Sequence, residues 1–250
     1  MTMVDQERVI ERFSETADIY AGDAALMYDD LARTDDSEID VLVRILRHVG
    51  AAAVLDLGCG SGRITLPLLA ALPISCLALD RSAELLAILA SRLMDDHSDR
   101  CHLVHADATR YRAARPVDSA VMGTSTISLF DAVERAALFD ATRANLVAGG
   151  TFVLTNFCWT PGLSAGRPAR QVGASGDIYV LDEVWISPNR RRVTVRSAAT
   201  GHVGESEPWN LHHEELAAEL SEADFAVKTI LPLHESRAGR NSLIIAEAPR

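Results

Sequence analysis

The stretch Val54-Leu55-Asp56-Leu57-Gly58-Cys59-Gly60-Ser61-Gly62-Arg63 constrains this chain more than any other. An apolar run with a β-branched start reads as a buried strand. It leads into three glycines and then a helical pattern through Ile64, Leu66, Leu68, Leu69 and Leu72. Strand, glycine turn and helix bring bare backbone close to a nucleotide-like ligand. The spacing is G-x-G-x-G. A dinucleotide fingerprint would place its third glycine at position 63, where this chain has Arg63.

Downstream, strand and helix patterns alternate. ISCLALD (74–80) ends in Asp80, with Ser82 as a cap for the helix that follows; CHLVHAD (101–107) ends in Asp107; VDSAVMG (117–123) is the fourth strand. Asp131 and Glu134 have capping-box spacing for a helix through about Leu146, and Gly149-Gly150 turns into a fifth strand, TFVLTN (151–156). Such alternation predicts a parallel sheet with right-handed crossovers and a ligand at the carboxyl ends of its strands. A helix over 37–48, stopped at Gly50, leads into the first strand. Pro67 is tolerable because it falls near the first turn of its helix.

The motif D-x-G-C-G-S-G resembles the first motif of class I S-adenosylmethionine (SAM) methyltransferases, and Leu146-Val147-Ala148-Gly149-Gly150 resembles that family's L-x-P-G-G turn, with Ala148 for proline. The resemblance implies an α/β, Rossmann-like fold: a seven-stranded, mostly parallel sheet with helices on both faces. It implies SAM as cofactor, with S-adenosylhomocysteine (SAH) as product, held by Asp56, Gly58, Cys59, Gly60, Gly62, Arg63, Asp80, Arg81, Asp107, Ala108, Gly123 and Thr124. Asp56 and the loop amides would meet the amino-acid end, Asp80 the ribose diol and Asp107 the adenine amino group. At position 224, in the E-E-L…A-D-F turn, the family more often has glycine.

Four regions follow. Residues 1–36 read as a helical N-terminal lid, with a helix over about 4–19 and then Tyr20 and Tyr28. Residues 37–156 form the SAM-binding core, 157–212 an inserted lobe and 213–250 a late helix with two closing strands. Within the insert, 157–176 reads as a loop rich in Gly, Pro, Ser and Ala, and the two alternating runs around Ser187-Pro188-Asn189-Arg190 as an antiparallel hairpin.

Methyl transfer is an in-line displacement that asks the protein to align nucleophile, methyl and sulfur and to exclude water. Tyr28, His212 and His213 are the catalytic candidates, since an imidazole suits a base. Tyr20, Tyr28, Ser125, Asn156, Trp159, Trp185 and Trp209 are the acceptor-binding candidates. The competing reading is packing for each Trp and Tyr, and a cap with a solvated neighbour for the two His. His102 and His105 read as surface and edge residues, and Arg190-Arg191-Arg192 as a solvated run at a hairpin turn.

Composition narrows the partners. A net charge of −11 argues against nucleic acid as the main partner. No apolar run reaches membrane length and the N-terminus lacks a secretory core, so the expected compartment is the cytoplasm. The cysteines show no metal spacing, and no metal is expected. The expected substrate is a small molecule or peptide, and the expected state a monomer or homodimer. The run G-T-S-T-I-S-L-F-D resembles peptide-tailoring N-methyltransferases of the daptide type. An O-methyltransferase, a non-catalytic SAM binder and a nicotinamide oxidoreductase are the alternatives.

Overall fold

The computed structural model describes residues 17–123, 125–161 and 168–250. The expected helix over 4–19 falls mainly outside these residues; its last part, Ala17–Asp18, is instead a short strand, β1. Helix α1 (Gly22–Ala32) and helix α2 (Ile39–His48) follow. The core then alternates: β2 (Ala53–Leu57), α3 (Thr65–Ala71), β3 (Ser75–Asp80), α4 (Ala83–Arg92), a short α5 (Asp95–Ser98), β4 (Cys101–His105), β5 (Val117–Met122), α6 (Ala132–Asn145) and β6 (Leu146–Trp159). Four strands follow, β7 (Ala169–Val172), β8 (Ile178–Ser187), β9 (Arg190–Ser197) and β10 (Val203–Ser206). The chain returns through α7 (His213–Glu222), β11 (Ala226–Ser236) and β12 (Gly239–Glu247).

The main sheet has seven strands in the order β11-β12-β6-β5-β2-β3-β4. β12 runs antiparallel to β6 and β11; the other pairings are parallel. From β2 the chain steps outward to β3 and β4, then returns to the other side of β2 as β5. The switch point therefore lies between β2 and β5, where the carboxyl ends open a crevice. Helices cover both faces. On one, Leu42, Leu46, Leu68, Leu69, Leu86 and Leu89 bury against Val54, Cys76, Val121 and Val153. On the other, Leu138, Phe139, Leu216 and Leu220 meet Leu55, Phe152 and Phe225.

Local signals hold where the residues make them physically explicit. Asp131 accepts from the Val133 and Glu134 amides while Glu134 reaches back to the Asp131 amide, the reciprocal cap that opens α6. The Ser82 hydroxyl caps α4 by accepting from Leu85. Pro67 is the third residue of α3, in the first turn of the helix where proline is tolerated.

The stretch 157–176 departs from the expected loop. β6 runs on to Trp159 because β12 continues to pair with it as far as Gly239. Ala169–Val172 forms an edge strand against β8. Its polar residues stand mostly exposed, so no apolar alternation marks it in the sequence.

A second, five-stranded sheet has the order β1-β10-β9-β8-β7. The expected hairpin is its centre, β8 against β9. β1 adds at its edge in parallel, Ala17 opposite Gly204, so the early segment and the insert share one sheet. α1 packs on this sheet through Ala24 and Met27, against Ile19, Tyr179 and Val195. No helix among the described residues is long and apolar enough to cross a membrane.

Candidate functional site

The glycine turn sits at the switch point. Gly58, Gly60 and Gly62 have φ of 71°, 54° and 91°, a region that side chains with a Cβ rarely adopt. Space excludes a Cβ as well: at Gly58 it would lie 2.6 Å from the Thr126 methyl, and at Gly62 2.4 Å from Leu89. The Gly58 and Cys59 amides both donate to the Leu79 carbonyl, tying the turn to β3. Asp80 completes the tie, accepting from the Gly60 amide at 2.7 Å and the Ser82 amide at 2.8 Å. Burial pushes its carboxyl above the ordinary range, although both amides favour the ionised form. Asp80 thus shapes the turn and also lines the hollow beside it.

That hollow, about 210 Å³, is lined by Gly58, Gly60, Asp80, Arg81, Asp107 and Ala108, together with Tyr20, Tyr28, Leu129 and Phe130. Asp107 accepts from the Thr109 amide and hydroxyl, and these bonds hold its carboxyl below the ordinary range. Beside it lies a smaller recess lined by Asp56, Cys59, Ser61, Arg63 and Ile64, and again by Tyr28, Gly58 and Gly60. Asp56 is buried and accepts from the Thr65 hydroxyl at 2.6 Å. Burial raises its pKa to about 7. Arg63 donates to the Asp35 carbonyl and pairs with Glu38. Gly123 closes the end of β5, where a Cβ would strike Ile64. Thr124 lies outside the described residues.

A third chamber, about 420 Å³, opens between the main sheet and the second sheet. Ser125, Phe157, Trp159 and Trp209 contribute from one side, and Leu181, Glu183, Arg191 and Val193 from the other. It shares Tyr20, Tyr28, Thr126 and Leu129 with the first hollow, and Tyr28 and Ala32 with the recess. Tyr28 alone lines all three. Its ring packs edge-on to Tyr20, centroids 4.8 Å apart. Burial raises the Tyr28 phenol to about 12 and the Tyr20 phenol further, so both are hydroxyl donors at neutral pH and not bases.

Tyr20, Tyr28, Ser125, Trp159 and Trp209 thus meet around one chamber, and the other candidates do not. His213 is buried, with Nε2 3.0 Å from the Asn156 carbonyl oxygen and Nδ1 3.1 Å from an Arg240 nitrogen. A carbonyl only accepts and a guanidinium only donates, so the ring is neutral and both its nitrogens are engaged. Burial holds its pKa below the ordinary value. His212 is exposed, with Nδ1 3.5 Å from the Cys158 sulfur. Neither histidine lines any of these three hollows. Asn156 is buried and donates to the Leu211 carbonyl, so it joins β6 to the start of α7. Trp185 lies behind Arg191, ring centre 6.0 Å from the guanidinium.

The arginine run is not uniformly solvated. Arg190 and Arg192 pair with Glu207, but strand alternation turns Arg191 inward. There it is buried, stacked 3.9 Å from the Trp159 ring centre and bound to Glu183 at 2.6 Å. Sequence reasoning also missed Glu38. It is buried at the start of α2, lines the chamber, and receives Arg63 and the Thr155 hydroxyl. Its one sequence signal is an acidic residue just before a helix of the core. No cluster of three or more His, Cys, Asp or Glu able to hold a metal occurs among the described residues.

Comparison with known proteins agrees with this architecture. A family model described as a methyltransferase domain matches residues 54–150. Trans-aconitate 2-methyltransferase of Klebsiella pneumoniae (strain 342) is 36% identical over 116 residues, 46% of this chain and 42% of that protein. The match thus spans less than half the length of this curated relative. Among solved structures, a SAM-dependent methyltransferase from Clostridium acetobutylicum superposes with a TM-score of 0.74 at 15% identity, covering 90% of this chain and 98% of that one. The sugar N-methyltransferase KedS8 from Streptoalloteichus gives 0.74 at 22% identity, covering 95% and 97%. The glycopeptide N-methyltransferase MtfA gives 0.61 at 20% identity, covering 100% of both chains. At these identities the likeness concerns the fold. Residues 54–150 thus match a methyltransferase domain, and the chain shares the fold of these methyltransferase structures.

Proposed function

We propose that this protein transfers the methyl group of SAM to an amine nitrogen of a natural product or modified peptide. The observation that carries the reading is the meeting of three hollows at Tyr28. The first suits adenosine, with Asp80 for the ribose and Asp107 for the base. The recess suits the amino-acid end, with Asp56 facing the ammonium and Arg63 the carboxylate. Their junction is the point at which a sulfonium methyl would face the acceptor chamber. Tyr28 then acts as a hydroxyl donor and a wall that excludes water, and Tyr20 fixes its ring. An in-line attack needs little more than this alignment.

The acceptor chamber favours nitrogen. It presents three carboxylates, Asp35, Glu38 and Glu183, and the aromatic faces of Phe157, Trp159 and Trp209, a lining that attracts cationic groups. A hydroxyl acceptor calls for a base. No histidine lines the chamber among the described residues, and Glu38 and Glu183 are held by arginines. KedS8 and MtfA, both N-methyltransferases, support an amine acceptor. The daptide-type resemblance of the run after β5 narrows the proposal to a peptide amine, and an amino sugar is the acceptor that KedS8 suggests.

The test is mass spectrometry of paired acceptors incubated with SAM: amino sugars and amine-bearing peptides against their hydroxyl isosteres. Gain of one or two methyl masses on the amines alone is expected. Methylation of the hydroxyl partners alone would make this an O-methyltransferase. SAM binding without transfer to any of the panel would favour a non-catalytic binder.

A further inference from the structure

We propose that Arg191, Asn241 and Ser125 form a subsite in the acceptor chamber for an amide carbonyl, so that the acceptor amine belongs to an amide-bearing molecule such as a peptide. This rests on the methyltransferase reading above and names the substrate class of the same site.

The three side chains surround one aromatic wall. Phe157 and Trp159 stand on the same face of β6, with ring centroids 4.5 Å apart, and both line the chamber. Arg191 stacks on Trp159 at one end of the wall. Asn241 lies opposite Phe157 in the pairing of β12 with β6, and the Ser125 hydroxyl is bonded to the Phe157 amide. Arg191, Asn241 and Ser125 all line the chamber.

Each has hydrogen-bonding capacity that the fold leaves unused. A guanidinium carries several N–H donors in a rigid fork. Nη1 of Arg191 donates to Glu183, but Nε is buried without a partner, and Nη2 donates to no described residue. Only 4% of the residue is exposed. Burial, partly offset by Glu183, holds its pKa below the ordinary value. Asn241 Oδ1 is likewise buried without a partner, and its amide nitrogen donates to no described residue. Ser125 Oγ accepts from the Phe157 amide at 2.9 Å, which leaves its O–H to be donated. Unpaired polar groups in a buried setting weaken the free fold, and a ligand that pairs them is bound the more tightly for it.

The kind of group follows from what is unused. Most of it is donors, so the ligand must bring acceptors. The Arg191 charge is already matched by Glu183, and a ligand carboxylate would set a second negative charge beside that one. A hydroxyl accepts, but it brings a donor of its own to be satisfied. An amide carbonyl accepts without charge, and the N–H of the same group suits Asn241 Oδ1. An amino sugar, whose remaining groups are hydroxyls, matches this lining less well than a peptide does.

The test titrates the SAH-loaded full chain, by ligand-observed nuclear magnetic resonance, with three probes that share a benzyl group and an amine: phenylalaninamide, phenylalaninol and phenylalanine. Wild type is expected to bind the amide about tenfold more tightly than the alcohol or the carboxylate. Asn241→Leu should bring amide and alcohol to within about threefold of each other, with a urea midpoint equal to or above that of wild type, because it removes an unpaired buried polar atom. A side chain that served the fold alone would lower the midpoint and leave the preference intact. Arg191→Lys keeps a cation for Glu183 but loses the fork of donors, and it should also reduce the preference. Equal binding of amide and alcohol by wild type, tighter binding of the carboxylate, or a preference retained in Asn241→Leu would overturn the subsite. Should Arg191→Lys fail to fold, Asn241→Leu decides. SAH binding with none of the probes bound overturns the subsite alone, whereas failure to bind SAH removes the methyltransferase reading itself.

Discussion

At the scale of single residues, the site is built from side chains that serve the backbone first and the ligand second. Asp80 pins the glycine turn through the Gly60 amide and still lines the hollow proposed for the ribose. Asp56 is anchored by Thr65 and lines the recess. Its pKa, raised by burial to about 7, leads to a pH dependence with a definite sign. In the free protein Asp56 holds a proton that the unfolded chain releases at lower pH, so its contribution to stability declines as pH rises from the ordinary carboxylate range towards 7. A bound α-ammonium favours the ionised form, lowers that pKa and expels the proton. SAH affinity should therefore rise between about pH 5.5 and 7.5, with proton release that falls off at the upper end. Calorimetry in two buffers of different ionisation heat measures that release directly. Asp56→Asn should flatten the dependence. A slope unchanged in Asp56→Asn would assign the titration to another group.

At the scale of elements, most of the core was legible because its signals are local. A capping box, a serine cap and a glycine turn each specify their own few residues, and all three are found in place. The end of α7 shows the same legibility with a flaw. Asp224 occupies the position where the family resemblance expects glycine, and its φ is 63°. Its amide bonds to Ser221 and that of Phe225 to Leu220, the paired bonds of a left-handed helix stop. An aspartate tolerates that conformation at a cost which glycine avoids. Asp224→Gly should raise unfolding free energy by about 0.5–1 kcal/mol, read as a higher urea midpoint with an unchanged slope. A lower midpoint would mean that Asp224 makes a compensating contact. What local signals missed were β7 and the inward turn of Arg191. An edge strand carries no apolar stripe, and an Arg in a run of three gives no sign of its direction until the strand register is fixed.

At the scale of the whole molecule, the proposed acceptor chamber depends on an association between distant parts of the chain, and no local pattern announces it. β1 joins β10 across nearly two hundred positions, and α1 packs on the sheet so formed. Two neighbouring carboxylates then fasten α1 in opposite directions. Asp29 takes both Arg92 nitrogens at 2.6 Å, tying the helix to α4, while Asp30 accepts from Ser175 and the Tyr179 hydroxyl, tying it to the second sheet. Tyr28, next in sequence, is carried on this doubly held turn. At Gly204 the union is tight: a Cβ there would lie 3.0 Å from Ile19 Cγ1 and 3.1 Å from Ala24 Cβ. Gly204→Val should therefore push β1 and the start of α1 away from β10 and shift Tyr20 and Tyr28, although position 204 lines none of the three hollows. Packed cores transmit such a displacement because they have no slack to absorb it. The expected result is SAH affinity weakened about tenfold or more, with amide exchange in α1 accelerated and that in β2 and β3 unchanged. If α1 exchanges faster while SAH affinity stays at the wild-type value, the second sheet does not set the position of the tyrosines, and the cofactor hollow is complete within the core alone.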